Sequence, residues 1–103
     1  MGYRSVFAPG LFKDQTIIVT GGGSGIGRCT AHELAALGAN VVIVGRDIKK
    51  LENVAAEIES DGGVVMSHAC DIRDEAMVIG TIDAVLARFG GIYGLVNNAG
   101  GQY

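Results

Sequence analysis

The chain has 103 residues, 49% of them hydrophobic and 18% charged, with a net charge of −3. That length favours a single domain, and that composition supports a packed core rather than disorder. Basic residues are scattered, so no stripe suits nucleic acid or an anionic membrane, and no apolar stretch approaches the roughly 20 residues of a membrane span. Residues 1–10 lack the apolar core of a signal peptide, so a cytoplasmic location is the expectation. Cys29 and Cys70 show no metal-ligand spacing and are expected to be small buried thiols.

In chain order, residues 1–13 carry no helix or strand period, and Ala8-Pro9-Gly10-Leu11 is a turn signal. This segment reads as an arm lying on the body or on a neighbouring subunit, with the dinucleotide-binding unit over residues 14–103. Thr16 to Thr20 is a first strand whose continuous apolar run suits a parallel strand buried on both faces. Glycines follow, then a helix from Gly25 to Leu37 with Ile26, Thr30, Leu34 and Leu37 on its inward face, stopped by Gly38. Val41 to Val44 is the second strand. Asp47 is placed to cap a second helix with Ile48, Leu51, Ala55 and Ile58 inward, ended by Asp61-Gly62-Gly63. Val64 to Ala69 is the third strand. A third helix starts near Asp74 with Met77, Ile79, Ile82, Leu86 and Phe89 inward, and Gly90-Gly91 stops it. Ile92 to Val96 is the fourth strand, followed at once by Asn97-Asn98-Ala99-Gly100. The alternation β-α-β-α-β-α-β predicts an α/β fold: a doubly wound, Rossmann-type parallel sheet with helices on both faces. The expected strand order is 3-2-1-4, with the switch point between strands 1 and 4.

The stretch from Thr20 to Gly27 carries the chemistry. A strand, a glycine turn and a helix start form a phosphate-binding arrangement: the glycines admit the ligand closely and the helix start offers unpaired N–H groups. The turn departs from Gly-x-Gly-x-x-Gly, since its spacing is Gly21, Gly25, Gly27. It also approaches a triphosphate-binding loop, but Arg28 and Cys29 stand where Lys and a hydroxyl residue are required. A turn of purely structural purpose is the remaining alternative.

Thr20-Gly21-x-x-x-Gly25-Ile26-Gly27, Asp71 and Asn97-Asn98-Ala99-Gly100, in that order and each at a strand end, resemble the short-chain dehydrogenase/reductase family from Gln15 onward. The resemblance implies that Gly21, Gly23, Ser24, Gly25, Ile26 and Gly27 bind a dinucleotide pyrophosphate. It implies that Asp71 and Ile72 meet the adenine, and that Asn97, Asn98, Ala99 and Gly100 support the sheet and border the ribose and nicotinamide. Physically, Ser24 can add a hydroxyl donor, and an ionised Asp71 can accept from an adenine amino group. Asp71 as a helix cap and the Asn pair as purely structural are the alternatives. Ala8-Pro9-Gly10-Leu11 and Gly100-Gly101-Gln102-Tyr103 further resemble the trans-2-enoyl-CoA reductase branch.

Cofactor choice rests on the end of the second strand. An NAD enzyme holds an acidic residue there for the ribose 2′-hydroxyl. This chain has Gly45, which leaves room, and Arg46, whose guanidinium can pair with a 2′-phosphate. NADP(H) is therefore expected over NAD(H). Two alternatives stay open: Arg46 as an ordinary solvated charge, and Asp47 reaching the ribose through a one-residue shift. Arg28 is divided between the phosphates and a surface role; His32 and His68 are expected to be non-catalytic.

The family's Tyr-x-x-x-Lys pair and catalytic Ser have no counterpart in this chain, and Tyr103 is not followed by a lysine. No catalytic residue or metal ligand is assigned, and the chain alone is expected to be inactive. The expectation is the cofactor-binding N-terminal portion of a longer, homo-oligomeric oxidoreductase acting on a small molecule, an alcohol or ketone or an acyl-CoA. A non-catalytic dinucleotide-binding regulator is the alternative, and a nucleoside triphosphatase a weaker one.

Overall fold

A computed structural model describes residues 10–23 and 25–98. Ser24, Ala99 and Gly100 lie outside the described residues, as do Ala8-Pro9 and Gly101-Gln102-Tyr103. The elements are β1 (Thr16–Thr20), α1 (Gly25–Ala36), β2 (Asn40–Gly45), α2 (Ile48–Ser60), β3 (Val64–Ala69), α3 (Glu75–Phe89) and β4 (Gly94–Asn97). The four strands are parallel in the order β3-β2-β1-β4, as the alternation predicts.

The two central strands are buried on both faces. One face carries Ile17, Val19, Val41, Ile43 and Val65 beneath α1 and α2. The other carries Ile18, Val42 and Val44 beneath Val85 of α3, with Val78 and Phe89 alongside. Removing these β-branched side chains from water is the main stabilising term, at roughly 25 cal/mol per Å² of apolar area. Residues before β1 join the same body: Phe12 packs against the α1–α2 layer and its N–H bonds the Leu37 carbonyl at 2.9 Å.

The start and end of each helix follow from the sequence. The Asp47 carboxylate accepts from the Lys49 and Lys50 N–H groups at 3.1 and 3.3 Å, and Asp74 accepts from Met77 N–H at 3.2 Å. Each satisfies donors that a helix start leaves open. Gly90 N–H bonds the Leu86 carbonyl at 2.8 Å and closes α3.

Three inward faces differ from expectation. In α1 the buried residues are Gly27 and Ala31, while Ile26 is 77% exposed. Close approach to the sheet selects the smallest side chains, which a search for large apolar residues passes over. In α2, Leu51, Val54 and Ile58 are buried and Ile48 stands at the exposed rim. In α3, Thr81 and Val85 are buried, and Met77, Ile79, Ile82 and Leu86 are exposed. That helix is apolar around most of its circumference, so periodicity does not single out the packed side. Cys29, expected to be buried, is exposed on α1, whereas Cys70 is buried as expected.

Strand β4 begins at Gly94, two residues later than expected; Gly94 pairs with Ile17, and before it Tyr93 N–H reaches β1, bonding the Thr16 carbonyl at 2.7 Å. It runs on to Asn97, which pairs with Thr20. This places the Asn97-Asn98 turn beside the glycine turn.

Candidate functional site

The glycine turn is fixed by backbone conformation at some positions and by close contacts at others. Gly21 N–H bonds the Val44 carbonyl at 2.8 Å, pinning the turn to β2. Gly21 and Gly25 take positive φ, 69° and 59°, which only glycine adopts without strain. A Cβ on Gly27 would run into the Gly21 carbonyl oxygen and lie 2.7 Å from its carbon. The start of α1 is therefore seated directly on the turn. A Cβ on Gly22 would meet Ile43 at 2.6 Å, and one on Gly23 would meet Lys50 Cβ at 3.0 Å. Sequence reasoning left Gly22 out of the site; only the position of Ile43 beneath it reveals the requirement. The outcome is a bare backbone cradle at the N-terminus of a helix of 12 residues, a surface complementary to a phosphate pair.

The Asn turn is tied to this cradle through Thr20, which is 7% exposed. The Thr20 hydroxyl lies 2.9 Å from Asn97 Oδ1 and 3.3 Å from the Val96 carbonyl, and it accepts from Asn98 N–H at 3.0 Å. A hydroxyl has one proton, so the shorter contact to Asn97 is the better donor bond. Among the described residues Asn98 Nδ2 is buried without a partner. An amide left this way costs about 1–3 kcal/mol unless a further group accepts from it. Thr20 precedes the glycines directly, which was the available signal for its bridging role.

At the other end of the crevice, Cys70 N–H bonds the Gly45 carbonyl at 2.8 Å, so the chain leaving β3 runs beside the chain leaving β2. Asp71 follows. Its Oδ1 accepts from Arg73 N–H and Nε, both at 3.0 Å, and its Oδ2 accepts from Nη2 at 2.9 Å. These bonds, and then the charges of Arg73 and Arg46, hold the Asp71 carboxyl at about 2, below its ordinary 3.8. The carboxylate is ionised near neutral pH, so both its oxygens act as acceptors only. It is not the cap of α3, since Asp74 fills that position. The grip of Arg73 went unnoticed in the sequence, although a spacing of two residues from Asp is that of a side-chain turn.

Gly45 is not demanded by packing: a Cβ there would sit 3.5 Å from Leu51 Cδ2, an ordinary contact. Arg46 is exposed beyond it. Asp47 spends its carboxylate on the start of α2. Ile26 and Ile72, at the edges of the two turns, are both exposed.

Other candidates fall elsewhere. Arg28 gives its fork to Glu57 of α2, with Nε and Nη2 each 2.9 Å from a carboxylate oxygen. His32 Nε2 lies 2.9 Å from Glu57 Oε1, and His68 Nδ1 lies 3.0 Å from the Thr81 hydroxyl. A shallow hollow lined by His32, Ala35, Ile58, Asp61 and Gly63 sits where α1 and α2 end. Helices of a parallel sheet end at the amino edge of the strands, whereas ligands take the carboxyl edge, so this hollow is not the site. Among the described residues no cluster of His, Cys, Asp and Glu could hold a metal ion. No helix of the described residues is long and apolar enough to cross a membrane.

The chain is similar to known proteins in sequence and in fold. A family model described as short chain dehydrogenase matches residues 15–103. The chain is 41% identical over 100 residues to a probable 2,4-dienoyl-CoA reductase 3 of Caenorhabditis elegans, covering 95% of this chain and 32% of that protein. Among solved structures, it is 65% identical to a citronellol catabolism dehydrogenase of Pseudomonas aeruginosa PAO1, with a TM-score of 0.89, covering 92% of this chain and 40% of that one. A metagenomic short-chain oxidoreductase in complex with NADP is 42% identical with a TM-score of 0.82, covering 85% and 40%. An NAD+-bound xylitol dehydrogenase is 36% identical with a TM-score of 0.78, covering 82% and 32%. The chain spans from 27% to 34% of the length of the curated relatives it matches. With the family model matching residues 15–103 and the strand order in agreement, the chain belongs to the short-chain dehydrogenase family.

Proposed function

We propose that this chain is the cofactor-binding portion of an NADP(H)-dependent short-chain oxidoreductase. The observation that carries this reading is the meeting of two turns at the switch point between β1 and β4. There the glycine cradle and the Asn97-Asn98 turn share Thr20. In this reading Gly21, Gly23, Ser24, Gly25, Ile26 and Gly27 hold the pyrophosphate, Asp71 and Ile72 hold the adenine end, and Asn97 to Gly100 border the nicotinamide ribose. The unpartnered Asn98 amide and the bare cradle fit such a ligand. When bound, the cofactor supplies or accepts a hydride; these residues bind and orient it.

The 2′-phosphate preference is supported at the end of β2. Gly45 leaves space, Arg46 is exposed, and Asp47, a neighbouring carboxylate that could take a 2′-hydroxyl, is engaged as a helix cap. Solved relatives with either cofactor make this residue-level argument the deciding one. Substrates are small molecules in this reading, alcohols or ketones or an enoyl thioester. Relatives named as 2,4-dienoyl-CoA reductases support the thioester. In this reading the longer protein is a cytoplasmic homo-oligomer. Without a Tyr-x-x-x-Lys pair in its sequence, the chain by itself is expected to bind cofactor and transfer no hydride.

Thermal melting with NADPH, NADH and ATP tests the proposal. A ligand at 100 times its Kd adds about 2.7 kcal/mol to stability. NADPH should raise Tm most, and Arg46→Ala should weaken NADPH binding far more than NADH binding. Equal losses would overturn the preference; no response to either dinucleotide would overturn the site.

A further inference from the structure

Two arginines stand at the carboxyl edge of β2 and β3. Arg46 follows Gly45, whose carbonyl accepts from Cys70 N–H at 2.8 Å, so the residue after β2 lies beside the chain that leads to Asp71. Arg73 grips the Asp71 carboxylate with Nε and Nη2 at 3.0 and 2.9 Å, and its own N–H adds a bond of 3.0 Å. A guanidinium has five N–H donors. The fork uses one on Nε and one on Nη2, so the donors on its outer side stay available, and the side chain is 74% exposed. The adjoining carboxylates do not compete for them, because Asp47 and Asp74 are turned to helix starts. Arg46 and Arg73 thus both stand where the paired ends of β2 and β3 leave the sheet.

We propose that Arg73 is a second specificity-determining residue for the cofactor: anchored by Asp71, it presents its outer N–H groups to the 2′-phosphate beside Arg46. Asp71 is then a positioning residue as well as an acceptor. Its carboxylate fixes the guanidinium plane in advance, so less side-chain entropy is lost on binding. A planar fork held this way suits a phosphate better than a free lysine would. The inference rests on the NADP(H) reading above and adds to it a residue outside the glycine, Asp71 and Asn motifs.

Calorimetric titration with 2′,5′-ADP and 5′-AMP, which differ by the 2′-phosphate alone, separates the possibilities. The unmodified chain should prefer 2′,5′-ADP. Arg73→Gln should lower 2′,5′-ADP affinity roughly fivefold, in the range of one exposed charged contact, and leave 5′-AMP affinity unchanged. If Arg73→Gln binds both probes as the parent does while Arg46→Ala loses the preference, the proposal fails and the NADP(H) reading stands. If the parent chain shows no preference, both fail. Circular dichroism checks that Arg73→Gln folds. Should it not, Asp71→Asn takes its place: releasing the fork should cost 2′,5′-ADP more than 5′-AMP, and an equal loss for both overturns the proposal.

Discussion

Gly27 has no side chain because α1 begins against the carbonyl of Gly21. The neighbour there is backbone, which cannot swing aside as a flexible side chain would. Gly27→Ala is therefore expected to cost about 2–3 kcal/mol or more, read as a lowered urea midpoint, with cofactor binding lost alongside. Thr20 is the second residue on which the site depends. Thr20→Val keeps the shape and strands Asn97 Oδ1 and Asn98 N–H, at a cost of about 1–3 kcal/mol, while Thr20→Ser should restore most of it. The glycine spacing and the Asn pair were legible at this scale because each motif is local. Gly22 was not, since its requirement is set by Ile43 lying beneath it in space; the backbone part of the Arg73 contact is a local two-residue turn, and only its guanidinium fork needed the structure.

Glu57 adds a pH dependence. Hydrogen bonds from Arg28 and then His32 hold its carboxyl at about 2, below the ordinary 4.5. A depressed folded-state value means that the ionised form favours folding. That contribution is complete above about pH 4.5 and is lost as pH falls toward 2. Both side chains of the Arg28 pair are well exposed, 47% and 39%, so solvent screens the effect and added salt weakens it further. Glu57→Gln should flatten the acid side of the stability profile between those pH values. A profile as steep as the parent's, from denaturant midpoints across that range, would contradict this role.

Among the elements, α2 shows how a helix can support the site without touching its ligand. Its cap, Asp47, was readable from the sequence because the capping bonds reach only two and three residues ahead. Asp47→Ala should cost about 1 kcal/mol and leave the cofactor preference intact. A gain in NADPH preference would instead mean that Asp47 acts at the ribose. Leu51, 1% exposed, lies beneath two site glycines, with Cδ2 at 3.6 and 3.5 Å from where side chains on Gly23 and Gly45 would begin. Leu51→Ala is expected to lose about 2–4 kcal/mol on chemical denaturation and to weaken dinucleotide binding as the turn settles into the space. Helix faces were less legible than helix ends. In α1 the packed side is made of small residues, and in α3 apolar residues surround the helix, so spacing alone left the choice to the sheet.

At the scale of the whole molecule, α3 covers β1, β2 and β3 but leaves part of its own surface and of β4 in contact with water. Leu95 shares a sheet face with its partner Ile18, yet it is 63% exposed, and Ile79, Ile82 and Leu86 are exposed on the helix. A parallel edge strand with apolar neighbours promotes association. Ile79→Lys with Leu86→Lys should therefore raise the concentration at which light scattering appears and leave the melting temperature nearly unchanged. A large drop in melting temperature would mean that these residues are packed.

The sequence by itself determined the alternation of strands and helices, the caps, the strand order and the family. Those depend on short-range patterns: apolar runs, capping residues, and turns at fixed positions after strands. Tertiary structure alone decided which helix faces are buried, that Cys29 is exposed, that Arg28 belongs to Glu57, and that Arg73 rather than a helix start occupies Asp71. Each of these outcomes depends on what packs or pairs alongside: the sheet beneath α1, a carboxylate on α2, and a guanidinium turned back from two residues ahead. A one-dimensional pattern shows that a side chain can reach such a partner; only the packed body shows which of the reachable partners it meets.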